Sequence, residues 1–323
     1  MSDNNVGTSE ISNFLNEGIK LKPKELIISD LKWKYLLRSV LKNKNVLMVG
    51  PSRCGKTMAA HAVAKALKKD DKFFVFNIGS TQDARATLIG NTTFKKELGT
   101  IFHPSAFVKA IKTPGAIILL DELTRGSHDA WNILMPVLDP TQRYLRLDEQ
   151  EDSAVIKMEE VCIMATANVG NEFTATRVLD KAISTRFPVK IEMEPLNKDE
   201  LMNLLDILYP NIVDVKKKLM GSLCEISDHT RIQVQQEDAE ISSMIPTGQV
   251  VEMAEMAMDG FSLVEIAEMA IYPDYPDEGG AESERLYMKQ LVQRYITTGN
   301  VASPINDPLK NKKDKNNIKK IDF

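Results

Sequence analysis

The sequence predicts an α/β fold, a parallel sheet with helices on both faces, on three observations. Short apolar runs of strand character alternate with helical patterns from about Val46 to Met193, the alternation that builds parallel sheets. One run, Ala116-Ile117-Ile118-Leu119-Leu120, is apolar at every position, as a strand covered on both faces requires. Another, Val46-Leu47-Met48-Val49, enters the loop Gly50-Pro51-Ser52-Arg53-Cys54-Gly55-Lys56-Thr57 and then a helical pattern. A second, smaller all-helical domain is expected after Pro195, where the composition changes.

Taken in order, residues 1–43 read as a helical lead-in, with Leu31, Trp33, Tyr35, Leu36, Val40 and Leu41 as an apolar stripe close to helical spacing. Trp33 is expected to face the core. After Thr57, the run Met58 to Leu67 is strong helix-forming sequence; His61 within it reads as a partly exposed helix residue. Phe73–Ile78, Ala116–Leu120, Val161–Ala165 and Val189–Met193 are the remaining strands of a core spanning 44–195. Asn197, followed three residues later by Glu200, is a capping box that starts a helix through Leu201, Leu204, Leu205 and Leu208. Val250, Met253, Ala254 and Ala257 repeat at helical spacing and stop at Gly260. Ser262 with Glu265 opens one more helix, and the helical domain covers 196–298. Met253, Met256, Met258 and Met269 read as adaptable core packing. Residues 299–323 are Lys- and Asn-rich with few apolar residues, and a disordered tail is expected.

The totals exclude several classes. A chain of 323 residues with 43% apolar and 27% charged residues is ordinary for a globular protein. Its net charge of −4 makes no general electrostatic case for nucleic acid or an anionic membrane. Three scattered cysteines fit neither a disulfide framework nor a zinc site, and Cys54 inside the loop needs a free thiol. No apolar run approaches a membrane span, so a soluble protein of the cytoplasm is expected.

The loop carries the chemistry. Gly50 to Thr57 has the spacing G-x-x-x-x-G-K-T, and a tight glycine loop lets several backbone N–H groups approach one phosphate chain. The helix that follows adds its N-terminal partial charge. By this reading residues 50–58, from Gly50 to Met58, bind nucleotide: Lys56 reaches the β/γ-phosphates and the Thr57 hydroxyl ligates Mg²⁺. Asp121 and Glu122 follow the third strand about 65 residues beyond Lys56. A carboxylate at such a strand end lands beside the metal, so Asp121 holds Mg²⁺ and Glu122 deprotonates the attacking water. Asn168, at the end of the fourth strand, is placed to hold the water or the γ-phosphate from the opposite side. Arg186 precedes the fifth strand, where a guanidinium aimed at a neighbouring subunit's phosphate and a surface ion pair fit the residues equally well. Nothing like the guanine-reading Asn-Lys-x-Asp follows a strand, so ATP is preferred to GTP.

These residues resemble the AAA+ ATPases, and within them the MoxR-like group that includes the cobaltochelatase small subunit and the CbbQ and NorQ activases. The likeness rests on GPSRCGKT (50–57), LLDEL (119–123), ATAN (165–168) and AISTRF (182–187), with Trp131 to Asp139 similar to the segment after the metal-binding pair. It implies a P-loop AAA+ core with a helical lid, ATP and Mg²⁺ as ligands, and hydrolysis to ADP and phosphate. It implies also that Asn168 is the sensor-1 position and Arg186 the arginine finger of a homo-oligomeric ring, hexameric in the family. The stretch from about 81 to 114 resembles the helix-2 insert, with Phe94, Lys95 and Lys96 as candidate tip residues facing a pore. Tyr144–Leu147 and Val155–Met158, within about 143–159, resemble the hairpin before sensor 1. The client implied is a protein, one carrying a von Willebrand A-like module, and the work is remodelling or activation, including metal or cofactor insertion. A nucleic-acid motor is the less favoured alternative, supported by the Lys-rich tail alone, and a nucleotide-gated scaffold with little hydrolysis is a third. One departure stands out: Pro246-Thr247-Gly248-Gln249, where relatives carry a sensor-2 arginine, has none. Arg177 is a further candidate trans arginine or a structural ion pair.

Overall fold

The computed structural model describes residues 8–80, 83–96, 99–147, 154–168 and 181–297. Arg177, the tail from 299 and the turn from 148 to 153 lie outside the described residues. Two helices, α1 (Thr8–Glu17) and α2 (Asp30–Leu41), lead into strand β1 (Val46–Gly50) and helix α3 (Lys56–Ala66). Then come β2 (Phe73–Asn77), α4 (Ala84–Leu88), β3 (Gly90–Lys95), β4 (Gly99–Pro104), α5 (Ala106–Ile111), β5 (Ile117–Asp121) and α6 (His128–Leu138). The chain continues through β6 (Tyr144–Leu147), β7 (Ala154–Lys157), β8 (Cys162–Asn168), α7 (Lys181–Ser184) and β9 (Val189–Glu192). Helices α8 (Lys198–Leu208), α9 (Asp214–Val234), α10 (Thr247–Asp259), α11 (Leu263–Ala270) and α12 (Glu284–Thr297) follow.

Five strands form one all-parallel sheet in the order β2-β5-β8-β1-β9. Successive strand side chains point to opposite faces, and the two faces feed two cores. Leu47, Ile118, Leu120, Ile163 and Ala165 pack with Phe107, Trp131 and Leu134 from α5 and α6. Val46, Met48, Ile117, Leu119 and Met164 pack with Trp33, Leu36, Ala59 and Val63 from α2 and α3. This is the three-layer α/β architecture expected. Strand β8 runs three residues beyond the expected end, so Asn168 closes the strand itself.

The segment between α4 and α5 folds as an antiparallel hairpin, β3 on β4, with Phe94 highly exposed near its tip. A second antiparallel hairpin pairs β6 with β7. On α2 the buried face is Trp33, Leu36, Leu37 and Val40, whereas Leu31, Tyr35 and Leu41 are exposed. Half of the expected stripe is therefore on the wrong side of the helix, and Leu37 replaces it.

The chain divides into two compact units, Met1–Phe261 and Ser262–Phe323. The division expected at 195 and 196 falls inside the first, in which α8, α9 and α10 pack on one another. In the second, α11 and α12 pack together, and Arg285 Nε donates to the Tyr275 carbonyl at 2.9 Å. Met253 is buried as expected, but Met269 on α11 is 78% exposed and belongs to no core. Among the described residues no helix is long and apolar enough to cross a membrane.

Candidate functional site

Parallel pairing brings the C-terminal ends of β1, β5 and β8 to one edge of the sheet. Gly50 lies beside Asn168 in register, and Asp121 beside Asn77 of β2. The loop after β1 turns into α3 through Gly55, whose φ of +92° lies in the left-handed region that glycine adopts at least cost. The α3 N-terminus then faces the strand ends. A cavity of about 420 Å³ forms there, lined by Ser52, Arg53, Gly55, Lys56, Thr57 and Met58 from the loop and helix. Asp121, Glu122, Thr166, Asn168 and Gly248 complete the wall.

Lys56 is only 6% exposed. Its ammonium donates to the Gly50 carbonyl at 2.9 Å and to the Pro51 carbonyl, and lies 3.7 Å from Cys54 Sγ. Burial pulls its pKa below the usual lysine range, against the opposing pull of Cys54, Asp121 and Glu122. Burial likewise pushes the Cys54 thiol up, with Lys56 working the other way. A cation held by carbonyls at the loop's centre is the partner a phosphate chain needs.

The carboxylates are set by a residue the sequence reading passed over. Thr166, on the wholly buried β8, donates its hydroxyl to Asp121 Oδ1 at 2.5 Å and accepts from the Glu122 backbone N–H at 2.9 Å. One side chain thus ties both acidic residues to the neighbouring strand. A hydroxyl inside a strand built, up to its closing Asn168, from Cys, Ile, Met and Ala is the available signal. Glu122 has φ +56° and ψ +43°, a left-handed conformation uncommon for a residue with a side chain. Such strain gathers at working sites. Its Oε2 accepts from Arg125 Nη1 at 3.4 Å, a second contact that spacing did not reveal.

Thr57 Oγ1 lies 3.3 Å from Asp121 Oδ1. A hydroxyl beside a carboxylate offers the hard oxygen donors that suit Mg²⁺, which takes one or two protein ligands and completes its shell from water and phosphate. Among the described residues no cluster of three His, Cys, Asp or Glu is placed to hold a metal, and the two-ligand pattern needs none.

Next to the phosphate cavity is a second, of about 570 Å³, sharing the loop through Cys54. Ile27, Ile28, Met193, Pro195 and Leu196 give it apolar walls, and Lys32, Glu200, Arg231 and Gln235 a polar fringe. Apolar walls with a few polar groups suit a planar base. Arg231 is held by Asp228, both Nε and Nη2 donating to Oδ1 at 2.8 and 2.7 Å.

Arg186 is placed apart from this cluster. Its Nε donates to the Met135 carbonyl at 3.1 Å, its Nη1 to the Ala182 carbonyl at 2.6 Å, and its Nη2 lies 3.4 Å from Asp139 Oδ2. Within its own chain the guanidinium is an anchor between α6 and α7.

Sheet order, phosphate loop and carboxylate pair together define a phosphate-loop α/β domain. Residues 45–187 match the family model described as AAA domain (dynein-related subfamily). The chain is 29% identical over 167 residues to the mitochondrial Lon protease homolog 1 of Dictyostelium discoideum, covering 50% of this chain and 16% of that one. BssE of Thauera aromatica is 31% identical over 168 residues, 48% of this chain and 54% of its own. The chaperone protein ClpB of Staphylococcus epidermidis is 26% identical over 292 residues, 86% of this chain and 30% of its own. In each case the match spans little more than half of the relative's length, or much less.

Proposed function

We propose that this chain is a Mg²⁺-dependent ATPase that couples hydrolysis of ATP to the remodelling of a protein client. The observation that carries the reading is the meeting of Lys56, Thr57, Asp121, Glu122 and Asn168 around one cavity at three strand ends. The loop N–H groups and Lys56 bind the phosphates, and Thr57 with Asp121 holds the metal, which when bound offsets charge on the β- and γ-phosphates. Glu122, poised by Thr166, takes the proton from the attacking water, and Asn168 orients it from the other side. The adjoining apolar cavity receives the base.

A likeness to a protein named as a chaperone supports a protein client, and the MoxR-like motifs narrow it to activation or cofactor insertion by a cytoplasmic hexameric ring. A client with a von Willebrand A-like module follows from the same likeness. Arg186 is the trans-acting residue of that ring, and in that role it must leave Asp139 and the Met135 and Ala182 carbonyls. A helical lead-in (1–43), an ATPase core (44–195), a helical lid (196–298) and a Lys/Asn-rich tail (299–323) make up the proposed domain plan.

The test is Glu122→Gln. ATP turnover is expected to fall by roughly a hundredfold or more while nucleotide binding persists. Turnover that survives the substitution unchanged overturns the assignment.

A further inference from the structure

Arg53 breaks a local rule inside the phosphate loop. Its φ is +56°, the left-handed region where a glycine is comfortable and an arginine is not. The conformation sends its side chain towards α10. There the Gly248 N–H donates to the Arg53 carbonyl at 3.2 Å. A Cβ on Gly248 would stand 3.3 Å from both Cβ and Nε of Arg53, so a residue without a side chain is what lets the arginine lie across the first turn. One turn further along, Glu252 accepts from Arg53 Nη2 in an ion pair. Arg53 and Gly248 also line the cavity that holds Lys56, Thr57, Asp121 and Glu122.

We propose that Arg53 is a positioning residue that senses the terminal phosphate, its guanidinium exchanging between Glu252 on α10 and the γ-phosphate of a bound nucleoside triphosphate. The proposal rests on the nucleotide-site reading above. It gives a physical account of the first turn of α10 carrying no arginine: the cation is supplied from the loop instead, and α10 supplies a glycine to receive it and a glutamate to hold it. Both partners are about half exposed, at 45% and 56% of their side-chain surface, so water competes and the pair is weak. A phosphate accepts from a guanidinium through two charge-assisted bonds and is the stronger partner. A diphosphate ends one phosphate short and leaves Arg53 with Glu252. The charge at the γ position is thereby reported to α10.

The experiment titrates the full chain, with Mg²⁺, against fluorescent ADP and a fluorescent slowly hydrolysed ATP analogue. Glu252→Gln releases Arg53, and the triphosphate-to-diphosphate affinity ratio is expected to rise roughly three- to tenfold. Arg53→Gly, which suits the positive φ, lowers the ratio below that of the unmodified chain. The double variant follows Arg53→Gly alone, because the Glu252 effect runs through Arg53. Ratios unmoved by both single variants, or effects that simply add, overturn the proposal when Lys56→Ala still abolishes binding of both nucleotides. If Lys56→Ala binds both as the unmodified chain does, the nucleotide-site reading falls and takes the proposal with it.

Discussion

Thr166 shows how much one hydroxyl can decide. It holds Asp121 by its proton and Glu122 by its lone pair, so its removal displaces two carboxylates that never move in sequence. Thr166→Val keeps the shape and is expected to lower kcat by roughly ten- to a hundredfold, with nucleotide affinity changed about twofold at most. Thr166→Ser restores the rate, an outcome a purely structural role would not give, since serine lacks the methyl that packing would miss. Cys162 supplies a pH test on the same strand. Its thiol donates to the Lys44 carbonyl at 3.2 Å, and burial foremost pushes it up to about 12. An unfolded thiol ionises near about 8.5, so the unfolded chain loses its proton first. The contribution is whole below that pH and is lost as pH rises towards 12. Denaturant midpoints are expected to fall between pH 8 and 10, by about 1–2 kcal/mol per buried thiol. Cys162→Ser removes only part of the slope, because Cys224 is likewise pushed up to about 12 by burial.

Helices with local signals were legible, and helices defined by what covers them were less so. The α8 capping box is present as read: Asn197 Oδ1 accepts from the Glu200 N–H at 3.0 Å, and Glu200 Oε2 from the Asn197 N–H at 3.0 Å. Asn197→Ala is expected to cost about 1 kcal/mol in chemical denaturation, and an unchanged midpoint would count against the box. The same holds for Ser262 with Glu265 on α11 and for Gly260 closing α10 at φ +105°. These devices involve residues a few positions apart, which their spacing in the sequence exposes. On α2 apolar residues on both faces satisfy a loose periodicity, and only the packed sheet selects Trp33, Leu36, Leu37 and Val40. Thr124, next but one to Glu122, is buried, and its hydroxyl has no hydrogen-bond partner among the described residues. Thr124→Val is expected to be neutral or stabilising by about 1 kcal/mol, read as a rise in Tm.

Across the whole molecule the decisive question is where Arg186 works. In its own chain it binds Asp139 and two carbonyls, while the ring reading sends it to a neighbour's phosphate. Mixing separates the two. Glu122→Gln and Arg186→Ala subunits are each expected to be nearly inactive, yet together they form hybrid sites with an intact Glu122 and a neighbour's Arg186. Recovered turnover that rises with protein concentration supports action in trans; no recovery leaves Arg186 as an anchor of α6 to α7. What the sequence by itself determined is the set of local units: the phosphate loop, the strand ending in Asp121 and Glu122, the capped helices, and the alternation that demands a covered parallel sheet. These depend on neighbours in the chain, whose spacing carries the information. The tertiary structure alone decided the sheet order, the tie from Thr166 to both carboxylates, the cradle of Gly248 and Glu252 around Arg53, and the anchoring of Arg186. Apart from the Arg186 bond to Ala182, these contacts join residues tens to nearly two hundred positions apart, and only packing brings such residues within hydrogen-bonding distance.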